Sequence, residues 1–194
     1  MKKIIFFLCC ISLSLLSAKS LCDALEMQNS CFTGAFSAGY VFKHDDHIFR
    51  EVYGFGMVNV ITADGCYYPW QSWGFGAKIS YWLANGRTTF FRKHTFLQEV
   101  PVTLYVRRIH DFECGLQIYA SLGGGFAWIK EKSYLGHVRQ YRGLGEIEVG
   151  LNYPVWRCLN ITSAFRYLFP RQSQGPVKVD VGGFDVRAGF GFSF

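Results

Sequence analysis

The last segment of the chain restricts its fold more than any other feature. From Phe184 to Phe194 the sequence reads FDVRAGFGFSF, in which every even-numbered residue is apolar and every odd-numbered residue is small or charged. A period of two is typical of a β-strand with one apolar and one polar face. The pattern therefore predicts a closing strand that has an apolar environment on one side only.

The same alternation occurs repeatedly along the chain, separated by turn residues. It predicts eight strands, at 32–42, 49–61, 71–83, 96–107, 112–128, 138–153, 156–169 and 177–194. In the second strand the register is ambiguous, and we favour an outward orientation for Tyr53, Phe55 and Met57. Segments 110–111 and 154–155 are predicted as short turns, and 62–70 as a longer turn. An even number of long strands predicts an all-β fold, an eight-stranded antiparallel up-and-down barrel.

The N-terminal residues have the organisation of a secretory signal peptide. Lys2 and Lys3 precede an apolar run at 4–16, which is too short to span a bilayer. We expect cleavage after Ser20, or alternatively after Ala24, which leaves one barrel domain at 21–194. The chain is therefore predicted to be exported.

Alternation alone leaves open which face of the barrel is outside. Half of the residues are hydrophobic and 18% are aromatic, so the apolar face either fills a soluble, lipocalin-type barrel or contacts lipid. Aromatic residues gather at strand ends, as at Tyr40, Tyr81 and Trp128, like the girdles of membrane barrels. Glycines fall mainly on the polar face, and short turns alternate with longer loops. These features favour a transmembrane barrel.

Three stretches carry a family resemblance: VPVTLYVR at 100–107, IYASLGGGFA at 118–127 and GFDVRAGFGFSF at 183–194. They resemble the small eight-stranded outer-membrane barrels, the group that includes the OmpA transmembrane domain, OmpX and the opacity proteins. The resemblance implies a bacterial outer-membrane location, with membrane lipid and lipopolysaccharide as partners. It also implies that the barrel-insertion machinery reads the closing strand through Val186, Phe190, Phe192 and Phe194. This architecture hosts anchors, adhesins and a few lipid-modifying enzymes, so it does not fix a function.

The inward-facing positions are predicted to carry five cations and five carboxylates. They are Lys78, Glu99, Arg107, Glu113, Arg142, Glu146, Glu148, Arg166, Asp185 and Arg187. Charges in a narrow interior of low dielectric persist when they are paired and hydrogen-bonded, and side chains fill an eight-stranded barrel. We therefore expect a closed plug; the alternative is a gated conduit in which an arginine exchanges carboxylate partners.

The mature cysteines lie at the periplasmic end of the predicted topology. They are Cys31, Cys66, Cys114 and Cys158, with Cys22 as a fifth if cleavage follows Ser20. Disulfides persist in an oxidising compartment, and an odd count would leave one thiol for a partner protein. The set resembles the cysteine-rich proteins of chlamydia-type envelopes, which implies cross-linking to other envelope proteins. The alternative is that each cysteine is a small apolar filler.

Several other activities receive little support from the sequence. The formal net charge of +6 includes Lys2, Lys3 and Lys19, which leave with the signal peptide, and no recognition motif accompanies the scattered remainder, so nucleic acid is not an expected partner. The cluster at 44–47, His-Asp-Asp-His, could supply a general base to a lipid A-modifying enzyme or ligands to a metal. No nucleophile with a matching base accompanies it. We predict no enzymatic activity, no cofactor and no metal.

The external loops offer a binding hypothesis. Cations and aromatic residues are combined there at Arg87, Phe90, Phe91, Arg92 and Lys93, with Lys130 and Lys132 in the next loop. Such groups suit lipopolysaccharide phosphates or sulfated host glycans, or they simply neutralise anionic headgroups. The sequence thus predicts a non-enzymatic envelope component, with a surface adhesin and a lipid A-modifying enzyme as alternatives.

Overall fold

The protein forms a closed β-barrel. The structure is a computed structural model, and it describes residues 31–43, 57–70, 72–87, 94–113, 115–133, 136–156, 158–170 and 182–193. The strands are β1 Cys31–Lys43, β2 Met57–Trp70, β3 Trp73–Arg87, β4 His94–Asp111, β5 Gln117–Ser133, β6 Gly136–Trp156, β7 Leu159–Pro170 and β8 Gly183–Ser193. Each strand pairs antiparallel with the next, and β8 pairs with β1. The prediction of an all-β, eight-stranded, up-and-down antiparallel barrel is confirmed.

The alternation in the sequence becomes two distinct surfaces of the barrel wall. Outward-facing apolar side chains are exposed on every strand, as for Leu104 at 69% and Tyr141 at 74%. The polar members of the same strands face inward and are buried, among them Lys78, Arg107 and Glu146. The barrel is therefore apolar outside and largely polar inside. Within the described residues, no helix is long and apolar enough to cross a bilayer.

Strand β2 differs from the sequence prediction. Its predicted range was 49–61, followed by a long turn at 62–70, but the strand runs from Met57 to Trp70 and pairs with β1 from Phe42↔Met57 to Cys31↔Tyr68. The Asp64-Gly65 pair has the composition of a turn, yet an inward-facing carboxylate is compatible with a polar barrel interior. Met57 is outward as expected, whereas Tyr53 and Phe55 lie outside the described residues.

The predicted short turns are displaced along the chain. Strand β4 extends to Asp111, and β6 continues through the predicted turn at 154–155 to Trp156 with an irregular register near Pro154. The β4–β5 turn occupies 112–116 and closes with a hydrogen bond from the Phe112 amide to the Leu116 carbonyl at 2.8 Å. Gly115 adopts a φ of 83°, which glycine accommodates readily.

These connections define two ends of the barrel. The turn end carries the segments 71–72, 112–116 and 157–158, together with the start of β1 and the end of β8. The loop end carries the ends of β1, β3, β5 and β7 and the starts of β2, β4, β6 and β8. The predicted signal peptide at 1–20, and its alternative end at 24, lie outside the described residues.

Candidate functional site

The barrel interior divides into two zones of different chemistry. Towards the loop end, the apolar zone consists of Val41, Val58, Val60, Trp82, Ala84, Leu97, Ala127, Ile129, Leu144 and Leu168. Towards the turn end, most inward-facing side chains are charged or hydroxyl-bearing. All ten apolar residues are at most 7% exposed. They therefore close the interior at this level with side chains from several strands.

One ion pair is embedded in the apolar zone. Lys43 Nζ donates a hydrogen bond to Glu99 Oε2 at 2.5 Å, and both side chains are almost completely buried. The same ammonium lies 4.1 Å from the centre of the Trp82 ring, a cation–π contact that partly replaces lost hydration. Lys43 lies one residue beyond the predicted first strand at 32–42, although continuing the alternation of β1 by one residue would have placed it inside.

The centre of the polar zone is a closed ring of alternating charge, which we call the ion ring. It runs through Lys78, Glu148, Arg187, Asp185, Arg166, Glu146 and back to Lys78. Lys78 Nζ donates to Glu148 at 2.6 Å and to Glu146 at 2.9 Å. Arg166 Nε donates to Asp185 Oδ2 at 2.7 Å. Three cations and three carboxylates thus neutralise one another in the interior.

A second group of side chains joins the ion ring on its turn-end side. Arg107 Nη2 lies 2.6 Å from Asp64 Oδ2 and 3.5 Å from Glu148 Oε1. Its guanidinium carbon lies 4.7 Å from the centre of the Tyr105 ring and 4.2 Å from that of Tyr119. The Tyr105 hydroxyl also donates to Asp64 at 2.9 Å. The guanidinium is therefore held by both charge and aromatic contacts.

Glycines make room for these two tyrosines. A Cβ added at Gly76 would lie 2.3 Å from the Tyr105 ring, and one added at Gly150 would lie 2.3 Å from the Tyr119 ring. Side chains at those positions would collide with the aromatic rings. At these two inward-facing positions glycine is needed because a tyrosine ring occupies the space of a side chain.

The structure places the predicted interior charges as follows. The ion ring contains six of them, Arg107 contacts the ring, and Glu99 pairs with Lys43 in the apolar zone. Arg142 is half-buried and donates to Gln140 Oε1 at 3.1 Å. The prediction for Glu113 is wrong, because β5 begins at Gln117 and Glu113 lies exposed in the β4–β5 turn.

Two interior charges were missed by the sequence analysis, Lys43 and Asp64. Asp64 fell in the segment that we had predicted to be a turn. With these two, the described interior again has five buried cations and five carboxylates: Lys43, Lys78, Arg107, Arg166 and Arg187 against Asp64, Glu99, Glu146, Glu148 and Asp185. The predicted balance of charge is retained with different members.

A small cavity of about 20 Å³, enough for one water molecule, lies beside the ion ring. Its lining includes Ser37, Asp64, Arg107, Tyr119 and Glu148. Asp64 Oδ1 and Arg107 Nε have no hydrogen-bond partner among the described residues. Polar cavities of this kind hold water that satisfies such atoms. No group of three or more metal-ligating side chains occurs in the described part of the chain.

The cysteines occupy different environments from those predicted. Cys66 was placed in a turn, but it lies in β2 and is completely buried against Tyr68 and Tyr105. An inward-facing thiol inside a closed barrel is not accessible to another protein, so this prediction is corrected. Cys158 lies in the β6–β7 turn and is half-buried. The side chains of Cys31 and Cys114 lie outside the described residues.

The predicted loop site is only partly described. Arg87 ends β3 and is exposed, while Phe90, Phe91, Arg92 and Lys93 lie outside the described residues. Lys130 and Lys132 were predicted in a loop, but they belong to β5, which continues to Ser133. Their strand position, paired with Arg139 and His137 of β6, directs them outward from the wall. The structure therefore moves these two lysines from a loop to the barrel surface.

The closing strand has the predicted orientation. Val186, Phe190 and Phe192 share the outward face of β8, with Phe190 58% exposed. Phe184 on the same face stacks against Phe165 of β7 with ring centres 5.8 Å apart. Phe194 lies outside the described residues. The apolar face of β8 is therefore continuous with that of its neighbour.

Comparison with known proteins shows likeness at the level of structure. No family model matches the chain, and no curated protein matches it in sequence. The N-terminal β-barrel domain of Pseudomonas aeruginosa OprF superposes with a TM-score of 0.55 at 17% identity, covering 86% of this chain and 98% of that domain. Neisserial surface protein A superposes with a TM-score of 0.60 at 12% identity, covering 86% and 100%.

A third similar structure is Ail, the attachment invasion locus protein of Yersinia pestis, in complex with the heparin analogue sucrose octasulfate. It superposes with a TM-score of 0.53 at 15% identity, covering 85% of this chain and 97% of Ail. At such identities the likeness concerns the fold. Together with the closed eight-stranded topology, it shows that the chain has the fold of the small outer-membrane β-barrels.

Proposed function

We propose that the protein is a non-enzymatic integral component of the bacterial outer membrane, with its turn end in the periplasm. The observation that carries the proposal is the distribution of polarity. The strands show lipid-compatible side chains outward, while five buried cations and five carboxylates are paired inside. A soluble carrier barrel would have the opposite arrangement, with an apolar cavity inside.

The proposed role is structural because the interior is closed. Trp82, Leu168 and their neighbours fill the apolar zone, and the ion ring fills the centre below it. An interior packed in this way supports an envelope component in preference to a wide aqueous pore. The gated-conduit alternative would require the ion ring to open and the apolar zone to rearrange.

A gel assay of the refolded mature chain tests the membrane barrel. In detergent, we expect unboiled protein to migrate differently from boiled protein, because a closed barrel resists unfolding by the gel detergent alone. The same protein reconstituted into liposomes should show little permeability to small sugars. A chain that is soluble without detergent and shows no shift would contradict the proposal and favour a lipocalin-like carrier.

Cross-linking at the periplasmic face is the finer part of the proposal. Cys158 lies in a turn at that end of the barrel, whereas Cys66 is buried inside the barrel. In an oxidising compartment, thiols at the turn end can form disulfides with other envelope proteins. Non-reducing gels of cell envelopes should show multimers that Cys158→Ser diminishes and that Cys66→Ser, the matched control, leaves unchanged. Identical multimers in both variants would place the linkage at Cys22, Cys31 or Cys114, and their absence in the wild type would refute it.

A surface adhesin is the second candidate. It is favoured by the cations at the loop end, including the exposed Arg87, and by the likeness to Ail, whose structure was determined with a heparin analogue. If this role holds, replacing Arg92 and Lys93 with glutamine should abolish binding of cells to heparin-coated surfaces. Envelope integrity should remain unchanged in that variant. Undiminished binding would exclude these loop cations as the adhesive site.

A further inference from the structure

The interior of the barrel ends, at the turn end, in a ring of uncharged polar side chains. They are the last half-buried residues that the structure describes on the inward face of five neighbouring strands, β5 to β8 and β1: Gln117, Asn152, Asn160, Ser193 and Thr33. The register places Gln117 opposite Asn152 and Thr33 opposite Ser193. Asn160 lies between these pairs, and its Nδ2 donates to Ser193 Oγ at 2.7 Å. We call these five residues the amide mouth.

The amide mouth differs in charge from the level above it. Arg107 and Asp64 lie further into the barrel and form an ion pair at 2.6 Å, whereas no member of the mouth is ionisable. Tyr68 of β2 and Ile109 of β4 occupy the other side of the opening. The cavity between the mouth and the ion ring has room for one water molecule only. A larger ligand at this end therefore lies across the mouth and meets uncharged groups.

The mouth retains hydrogen-bonding capacity for such a ligand. A primary amide carries two donors on its nitrogen and an acceptor oxygen. Gln117 Nε2 donates to Asp111 Oδ1 at 2.8 Å, and Asn160 uses its nitrogen for Ser193, so both amide oxygens point away from these bonds. The buried Tyr68 hydroxyl has no hydrogen-bond partner among the described residues. The opening thus presents donors and acceptors side by side.

Two tryptophans lie on opposite sides of the same end. Trp70 ends β2 and Trp156 ends β6, four strands apart in a closed ring of eight. Their side chains are 61% and 75% exposed. An aromatic face packs against the apolar face of a sugar ring, while a few polar groups fix the orientation of a bound molecule. The turn end offers both kinds of contact.

The chemistry of the mouth separates three classes of ligand. A lipid phosphate is bound by cations, and the described residues of the mouth include none. An extended peptide adds to a free sheet edge, but the strands at the mouth are paired on both sides. A neutral glycan carries hydroxyl and acetamido groups, which both donate and accept hydrogen bonds. The amide mouth matches the third class.

We propose that the amide mouth binds a neutral glycan of N-acetylated sugars, with an exposed tryptophan as the stacking surface for a sugar ring. The acetamido group of the sugar pairs with the side-chain amides, since each supplies a donor and an acceptor. In the periplasm, sugars of this kind form the glycan strands of the cell wall. The inference rests on the proposed function, since only a turn end in the periplasm faces that polymer.

The test is an NMR titration of the refolded barrel, in neutral detergent, with tetra-N-acetylchitotetraose, observed through the side-chain amide and indole signals. The test variant is Gln117→Leu with Asn152→Leu. The control variant is Asn59→Leu, which removes an exposed asparagine near the loop end of β2. Each lost amide should weaken binding about 5-fold, and the double variant about 25-fold. Asn59→Leu should match the wild type.

Two further ligands complete the experiment. Cellotetraose, which lacks acetamido groups, should bind the wild type at least about 5-fold more weakly than the acetylated oligomer. Equal affinity of the wild type and the double variant for the acetylated oligomer would overturn the inference. A wild type that responds to glycerol phosphate but not to the oligosaccharide would do so too, because the mouth would then be a lipid headgroup site. If the double variant misfolds, the single Asn152→Leu variant, with its 5-fold effect, decides.

The gel assay distinguishes the two levels of failure. A wild-type chain without a heat-dependent shift would remove the membrane barrel and, with it, the periplasmic position of the mouth. A chain that shifts normally but does not bind the acetylated oligosaccharide would remove the glycan site alone.

Discussion

The two zones of the barrel interior reach a closed structure by different physical means. In the apolar zone, Trp82, Leu168 and their neighbours exclude water by close packing, and one buried ion pair, Lys43 with Glu99, is tolerated among them. In the ion ring, every cation contacts carboxylates and every carboxylate contacts cations. Both zones close the interior, but we expect substitutions to change the free energy of unfolding by different amounts in the two zones.

The largest effect is expected at Glu148, where Lys78, Arg107 and Arg187 converge. Glu148→Ala would leave three buried cations with weakened compensation, and breaking a buried pair costs about 3–5 kcal/mol. Urea unfolding in lipid vesicles, followed by tryptophan fluorescence, would measure the loss. The control is Glu113→Ala, in the exposed turn, which should leave the unfolding midpoint unchanged. Equal midpoints for both variants would show that the ion ring does not stabilise the barrel.

A smaller effect is expected from shortening a side chain in the apolar zone. Leu168 is 1% exposed, so Leu168→Ala should lower the free energy of unfolding by about 2–4 kcal/mol through lost burial and a new cavity. The outward-facing Leu122→Ala, at 65% exposure outside a bilayer, is the matched control, and it should cost less because it loses contact with lipid but leaves no cavity. The same urea assay applies. If both variants lost the same free energy of unfolding, close packing in the apolar zone would not add to the stability of the barrel.

The smallest effect is expected from removing both members of the embedded ion pair. Lys43→Met combined with Glu99→Leu replaces the pair with apolar groups, which is often neutral or stabilising in other proteins. We expect the double variant to lie within about 1 kcal/mol of the wild type. Lys43→Met alone should be clearly destabilised, because it leaves the Glu99 carboxylate without its ammonium partner. A double variant as unstable as the single one would mean that the pair itself stabilises the apolar zone.

Much of the fold was predictable because odd and even positions of a barrel strand face opposite sides of the wall. The orientations of Lys78, Glu146 and Arg166 follow from the alternation alone, and all three are buried as expected. Errors arose where residue chemistry resembled a turn. Asp64-Gly65 was assigned to a connection, although an inward carboxylate opposite Arg107 is stable within β2.

The arrangement of the candidate sites was less predictable. Alternation identifies which residues face inward. Which charges pair in the ion ring depends on how β3, β6, β7 and β8 are aligned with one another, and the sequence of one strand does not show this. The ends of strands were also uncertain, so Lys130 and Lys132 were assigned to a loop and their pairing with β6 was not foreseen. Where a strand continues beyond its apolar stretch, its composition resembles that of a loop, so composition does not predict where the strand ends.

The ion ring also bears on how the chain assembles. Its members come from β3, β6, β7 and β8, so Arg166 and Glu148 lack their partners Asp185 and Arg187 until the last strand is in place. Contacts between such distant parts of a chain form late and slowly. A chain that stops before β8 keeps the ion pairs of Lys78 and Glu146, but its ring is open, and Arg166 and Glu148 each lose one charged neighbour. The ion ring is therefore complete only when β8 has paired with β7 and β1.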